Sequence, residues 1–166
     1  MILSLIADTH GHLPAALFPR LAGCDLILHL GDLGGPALLA ELSQLAPTLA
    51  VRGNADARGL AELPEERRLD LAGLPVALRH HPWTARDLEG AGPSLWAHGH
   101  THVPRLLRIG PALLLCPGAL YQPRQGHPAS LAIVEIRPAL LQAGILAVED
   151  GRILAQNAWP RGLVAP

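Results

Sequence analysis

Residues 2–11, Ile2-Leu3-Ser4-Leu5-Ile6-Ala7-Asp8-Thr9-His10-Gly11, decide how the rest of the chain is read. A short, almost wholly apolar run passes directly into Asp, Thr, His and Gly. Such a run, bounded by turn residues, fits a strand buried on both faces, with its polar residues just past the carboxyl end. The pattern recurs twice. Leu26-Ile27-Leu28-His29-Leu30 closes on Gly31-Asp32, and Thr48 to Val51 closes on Arg52-Gly53-Asn54. Between these runs, residues 14–21 carry a short helical pattern disturbed by Pro19. Residues 36–45 have helical apolar spacing, with Pro36 at the first turn. Strand, helix, strand, helix, strand implies a parallel sheet with right-handed crossovers.

Downstream the texture changes. Residues 67–71 and 74–78 read as a hairpin around Ala72-Gly73, and Leu95-Trp96-Ala97 as a brief strand ending in His98-Gly99-His100. Runs at 106–109 and 112–116 are separated by Gly110-Pro111, and further strands are expected at 130–136, 140–148 and 153–158. This half reads as antiparallel. No linker, repeat or low-complexity segment interrupts the 166 residues, so one domain over residues 1–166 is expected, an α/β fold of two sheets packed face to face with helices outside.

Composition narrows the function classes. A net charge of −1 with no block of like charges argues against stable nucleic-acid binding. All 13 cationic side chains are Arg, so no Lys is available as a nucleophile or Schiff-base former. Cys24 and Cys116 read as reduced, buried thiols of a cytoplasmic protein. No basic region followed by an apolar stretch opens the chain, and no apolar run reaches the ~20 residues that span a bilayer. Trp83, Trp96 and Trp159 read as core, with self-association through them as an alternative.

The nine histidines concentrate beside Gly, Asp or another His at the ends of apolar runs. Five such ends carry ligand-type residues: Asp8-Thr9-His10, Gly31-Asp32, Gly53-Asn54, His80-His81 and His98-Gly99-His100-Thr101-His102. In open α/β sheets, ligands bind beyond the carboxyl ends of strands. Asp8 and His10 are two apart, as are His100 and His102, so each pair in an extended segment reaches one side. Mixed carboxylate and imidazole donors suit Mn, Fe, Zn, Ni or Co better than Ca. Taken singly, His29, His127, Asp32 and Asn54 are ordinary structural or turn residues. Five clusters, each just after an apolar run, are not explained that way.

These segments resemble the calcineurin-like metallophosphoesterases, and most closely their small bacterial and archaeal phosphodiesterase branch. The matching stretches are Asp8-Thr9-His10-Gly11, His29-Leu30-Gly31-Asp32, Gly53-Asn54-Ala55-Asp56, His80 and Gly99-His100-Thr101-His102, with Pro117-Gly118, Pro123-Arg124 and residues 129–136 behind them. The resemblance implies a sandwich of two mixed β-sheets flanked by helices. It implies a two-metal site in which Asp8, His10 and His102 hold one ion, Asn54, His80 and His100 hold the other, and Asp32 bridges. The cofactors expected are two divalent transition-metal ions, manganese being the first choice. Four departures stand out: His81 follows His80 where the branch has Gly; residues 82–95 are short and hold Gly90, Gly92 and Pro93, so a helix there is truncated or lost; Cys116-Pro117-Gly118-Ala119 replaces Asn-Pro-Gly-Ser; and Ala55 follows Asn54, where many larger relatives place a His.

The expected reaction is hydrolysis of a small phosphodiester by a hydroxide held between the metals, with Asp32 and Asn54 in the catalytic set. His29 and Asp56 are candidates for orienting the imidazoles. Arg124 and His81 are candidates for binding substrate, as is Arg52. With no His after Asn54, leaving-group protonation could fall to His81, His98 or His12. The rival function is an interaction scaffold on the same fold. A repair-type nuclease is disfavoured by the near-neutral charge.

Overall fold

The computed structural model describes residues 1–56, 59–89, 92 and 94–160. Gly90 and Pro93 of the shortened segment lie outside the described residues. Among the described residues, eleven strands form two sheets. The first has the order β11 (Ile153–Pro160), β10 (Leu140–Ala147), β9 (Ser130–Ile136), β1 (Ile2–Ile6), β2 (Leu26–His29), β3 (Thr48–Ala50). Its β1, β2 and β3 are parallel, as the alternating strand–helix pattern required, and β9, β10 and β11 extend it antiparallel. The second has the order β4 (Glu66–Leu71), β5 (Leu74–Arg79), β6 (Leu95–His98), β8 (Ala112–Cys116), β7 (Arg105–Ile109).

The second sheet corrects the antiparallel expectation. The hairpins β4–β5 and β7–β8 are antiparallel, but β5, β6 and β8 run parallel to one another. The physical reason is burial. β6 is buried at every position and β8 at four of five, which fits parallel strands covered on both faces. Both sheets are thus mixed.

Alternating residues of the two sheets meet in one apolar layer. Leu3, Leu5, Leu28, Val134 and Ile145 come from the first sheet, and Val76, Leu78, Leu95, Leu113 and Leu115 from the second. The outer face of the first sheet is covered by α1 (Phe18–Leu21) and α2 (Pro36–Leu45) through Leu21, Leu38 and Leu42, with Leu17 from the turn before α1. Pro19 fits because it lies in the first turn of α1, which follows a single 3-10 turn at Ala15–Leu17. The outer face of the second sheet is covered by Trp83, Trp96 and a 3-10 turn at Ala85–Leu88, where a helix would otherwise sit. Thr84 and Asp87 cap that turn reciprocally. All three tryptophans are core residues. Cys116 is buried, but Cys24 is only half-buried, and both are free. Among the described residues, no helix is long and apolar enough to cross a membrane.

Candidate metal centre

The two parallel trios place their carboxyl ends at one edge of the sandwich, and the loops there are bonded to one another. Asp8, His10 and Gly11 donate their backbone N–H to the carbonyls of Gly31 (3.1 Å), Asp32 (2.9 Å) and Leu33 (2.6 Å). Gly99 N–H donates to His80 O at 3.0 Å, joining β6 to β5. The glycines permit this closeness: a Cβ on Gly31 would lie 2.7 Å from His80 Nδ1, and one on Gly53 would overlap Asp32 Oδ1.

Asp56 is the clamp between two of these loops. One carboxylate oxygen accepts from the N–H of Leu33 (2.8 Å) and Gly34 (3.1 Å), the other from Asp32 (2.8 Å) and Gly53 (2.9 Å). The orienting role expected of Asp56 and His29 therefore acts on backbone, not on imidazoles. His29 is buried, its Nδ1 accepting from Gly31 N–H at 3.2 Å and its Nε2 lying 2.9 Å from Thr9 Oγ1, which fixes the neutral Nε2–H tautomer. Burial holds its pKa down to about 3. The imidazoles themselves are oriented by carbonyls, a device with no signature in side-chain spacing: His80 Nδ1–H donates to Leu30 O and His102 Nδ1–H to Gln122 O, both at 2.8 Å.

All seven candidate ligands come together. Asp8, His10 and His102 form one group with ligand atoms within 4.8 Å of one another, and Asp8, Asp32 and His80 form a second. Asp32 Oδ2 lies 3.7 Å from His10 Nε2 and 3.3 Å from His80 Nε2, between the two. Asn54 Oδ1 is 3.1 Å from His80 Nε2 and 3.0 Å from His100 Nδ1. The convergence does not arise from strand alternation as expected. Asp8, His10, Asp32, His100 and His102 have φ of 54°, 46°, 56°, 66° and 59°, so the chain turns left-handed at the ligands themselves. Each such non-Gly conformation costs roughly 1–3 kcal/mol and persists because the zipped loops impose it.

Burial and mutual charge shift the titration of these donors. Burial, with the charge of Asp32, pushes the Asp8 carboxyl up to about 7 although His80 pulls against it. For Asp32 burial acts upward too, but the hydrogen bonds from His80 and Ala55 N–H take it down to about 2. His80 is raised: burial opposes its charge, and the Asp32 bond, the Leu30 carbonyl and Asp8 outweigh it. His100 is lowered by burial and by the charges of His80 and His81. Asp8 Oδ1 is buried with no hydrogen-bond partner. A buried carboxylate oxygen that takes no hydrogen bond yet faces His102 Nε2 at 3.3 Å, beside a second carboxylate, fits a divalent transition metal.

Other candidates fall around this cluster. His81 is exposed, its ring 4.6 Å from that of His100 and 5.4 Å from that of His80. Arg124 is exposed on the loop whose backbone bonds His102 O at 3.2 Å. Arg52 pairs with Glu65 and donates to Ala61 O at 3.3 Å. His98 is buried with Nδ1 on Gly99 O at 2.9 Å, which removes it from the mouth as a proton donor. His12 stays exposed, 6.0 Å from the Tyr121 ring. Tyr121, whose ring is also 5.9 Å from His10, carried no sequence signal. A cavity of about 600 Å3 opens beside Asn54, His80 and His81.

Residues 1–138 match the calcineurin-like phosphoesterase superfamily domain. The chain belongs to this superfamily. It is 34% identical over 159 residues to a protein of Methanothermobacter thermautotrophicus named "Probable metallophosphoesterase", a match covering 88% of this chain and 92% of that one. The solved structure of the phosphoesterase YfcE from Escherichia coli superposes with a TM-score of 0.75 at 26% identity, covering 95% and 98% of the two chains. Vacuolar Protein Sorting 29 from Cryptosporidium parvum superposes with a TM-score of 0.80 at 19% identity over 96% and 97%, a likeness of fold alone. Membership makes the chain a metal-dependent phosphoesterase, a hydrolase.

Proposed function

We propose that this chain hydrolyses small phosphodiesters at a centre of two divalent transition-metal ions. Asp8, His10 and His102 would hold one ion, Asn54, His80 and His100 the other, with Asp32 between them. The observation that carries the reading is the buried Asp8 carboxylate, common to both donor groups, whose Oδ1 has no hydrogen-bond partner and lies 3.3 Å from His102 Nε2. An unsatisfied buried acceptor costs about 1–3 kcal/mol, which a cation would offset. Manganese is the first choice, and iron, zinc, nickel and cobalt suit the same donors. Bound there, such ions supply Lewis acidity toward phosphoryl oxygens and toward an attacking water.

The chain's own groups prepare the site. Once His80 gives up the Nε2 proton it shares with Asp32, the Nδ1–H bonds of His80 and His102 leave each Nε2 lone pair to face the cluster. Asn54 turns Oδ1 to His80 and His100, leaving its amide N–H groups to donate to a phosphoryl oxygen. Ala55 offers only its backbone N–H, to Asp32 Oδ1 at 2.8 Å, so no imidazole follows Asn54 to protonate a leaving group. Diesters with acidic leaving groups are therefore favoured over alkyl monoesters. The relative YfcE, 29% identical over 185 residues, is named a phosphodiesterase, which supports the same choice. Arg124 and His81, exposed beside the cluster, are the substrate-facing residues of this proposal. Two free cysteines accord with a cytoplasmic location.

Hydrolysis of bis-p-nitrophenyl and mono-p-nitrophenyl phosphate tests the reading. The diester should show kcat/KM at least about tenfold higher. Asp32→Ala should abolish turnover and metal loading in a chain that remains folded. Faster monoester turnover contradicts the diesterase assignment, and retained activity in metal-free Asp32→Ala contradicts the site. The scaffold alternative predicts little or no turnover whether or not metal is loaded.

A further inference from the structure

The cavity beside the metal centre has a chemistry of its own. Asn54 and His81 border it on the side of the cluster, and Arg52, Glu65, Glu66 and Arg79 line the rest. Two cations and two anions leave no net charge in these four side chains. Each cation is already committed. Arg52 pairs with Glu65. Arg79 lies 3.8 Å from the centre of the Trp83 ring, donating to His81 O at 2.9 Å and to Asp87 at 2.8 Å. Glu66 is held by Arg68 at 2.8 Å.

A lining of this kind does not attract a second phosphate, because among the described residues no uncompensated positive charge lines it. A plain alkyl chain would leave the donors of Arg52 and the acceptors of the two Glu unpaired. What it offers is hydrogen bonding of both kinds. Arg52 uses two of its five N–H donors in the contacts described, and each Glu has a second oxygen. A volume of about 600 Å3 falls among pockets that enclose whole small molecules. A rigid, uncharged group with adjacent donors and acceptors matches both size and lining.

We infer that this cavity seats one arm of the diester, that the arm is an uncharged, nucleoside-sized group, and that Arg52 selects it. The inference rests on the phosphodiesterase reading. Arg52 thus serves the ester arm, not the phosphate, because its pairing with Glu65 leaves it directional donors without net charge.

Calorimetric titration of the metal-loaded chain with thymidine 5′-phosphate and, separately, inorganic phosphate tests it. The nucleotide should bind at least about tenfold more tightly. Arg52→Met should bring the two Kd values within about threefold, and Arg52→Lys should recover part of the difference. Glu66→Ala, on β4, should shift the ratio in the same direction if Arg52→Met unfolds. With thymidine 5′-(p-nitrophenyl phosphate) as substrate, the loss should fall on KM and leave kcat little changed. Equal binding of nucleotide and phosphate by the unmodified chain overturns the inference, as does an unchanged ratio in folded Arg52→Met. Bis-p-nitrophenyl phosphate separates the two readings: no hydrolysis by the unmodified chain defeats the phosphodiesterase assignment, whereas hydrolysis without nucleotide preference defeats only the subsite.

Discussion

Asp8 is where the sequence, the geometry and the chemistry meet. Its carboxyl is buried, left-handed in backbone, and held at about 7 chiefly by burial. Because this folded-state value lies above the unfolded one near 3.8, its contribution to the stability of the metal-free chain is full below the unfolded value and is lost as pH rises through about 7. Metal binding has the opposite preference, since a carboxylate ligand must give up its proton. Metal uptake at pH 6 should therefore release a proton from Asp8, with His80, also raised, adding to the release, and affinity should fall by about tenfold per pH unit below about 7 for each proton released. Calorimetry in two buffers of different ionisation enthalpy measures that proton. Uptake with no proton release at pH 6 contradicts the ligand role of Asp8. At this scale the residue types and their places after apolar runs were legible. The carbonyls of Leu30 and Gln122 that fix the imidazoles were not, because every residue has a carbonyl and only the fold selects which one is used.

Between elements, Asp56 does what two loops cannot do alone. Its carboxylate accepts four backbone N–H groups, three from the loop after β2 and one from the loop after β3. Asp56→Ala should lower the stability of the metal-free chain by about 3 kcal/mol or more, since it leaves several buried donors unpaired at about 1–3 kcal/mol each. It should also weaken metal binding without removing a ligand. Denaturant unfolding alongside metal titration measures both, and a loss under about 1 kcal/mol would show that the clamp is not needed. The elements themselves were largely legible, because continuous apolar runs ending in turn residues locate strands whatever their partners. Strand direction in the second half was not. Local alternation identifies the β4–β5 and β7–β8 hairpins, but it is silent on the crossovers that set β5, β6 and β8 parallel. The uninterrupted Leu113-Leu114-Leu115 run in β8 was the available sign of burial on both faces.

For the whole molecule, the two parallel trios explain why one edge of the sandwich holds the chemistry. Three loops of the first sheet bring Asp8, His10, Asp32 and Asn54, and two of the second bring His80, His100 and His102. The opposite end of the first sheet is guarded by simpler means. β11 is an edge strand without charge, but its Ala158 N–H is taken by Asn157 Oδ1 at 2.8 Å and Pro160 has no N–H to offer, so strand addition there is discouraged. The central claim is that a two-metal centre in this edge hydrolyses diesters. Turnover of bis-p-nitrophenyl phosphate, followed while the metal-free chain is titrated with Mn, tests it most directly. The account predicts no turnover without metal and a rise that levels off at two equivalents per chain. Full activity in the metal-free chain, or a plateau at one equivalent, would contradict it.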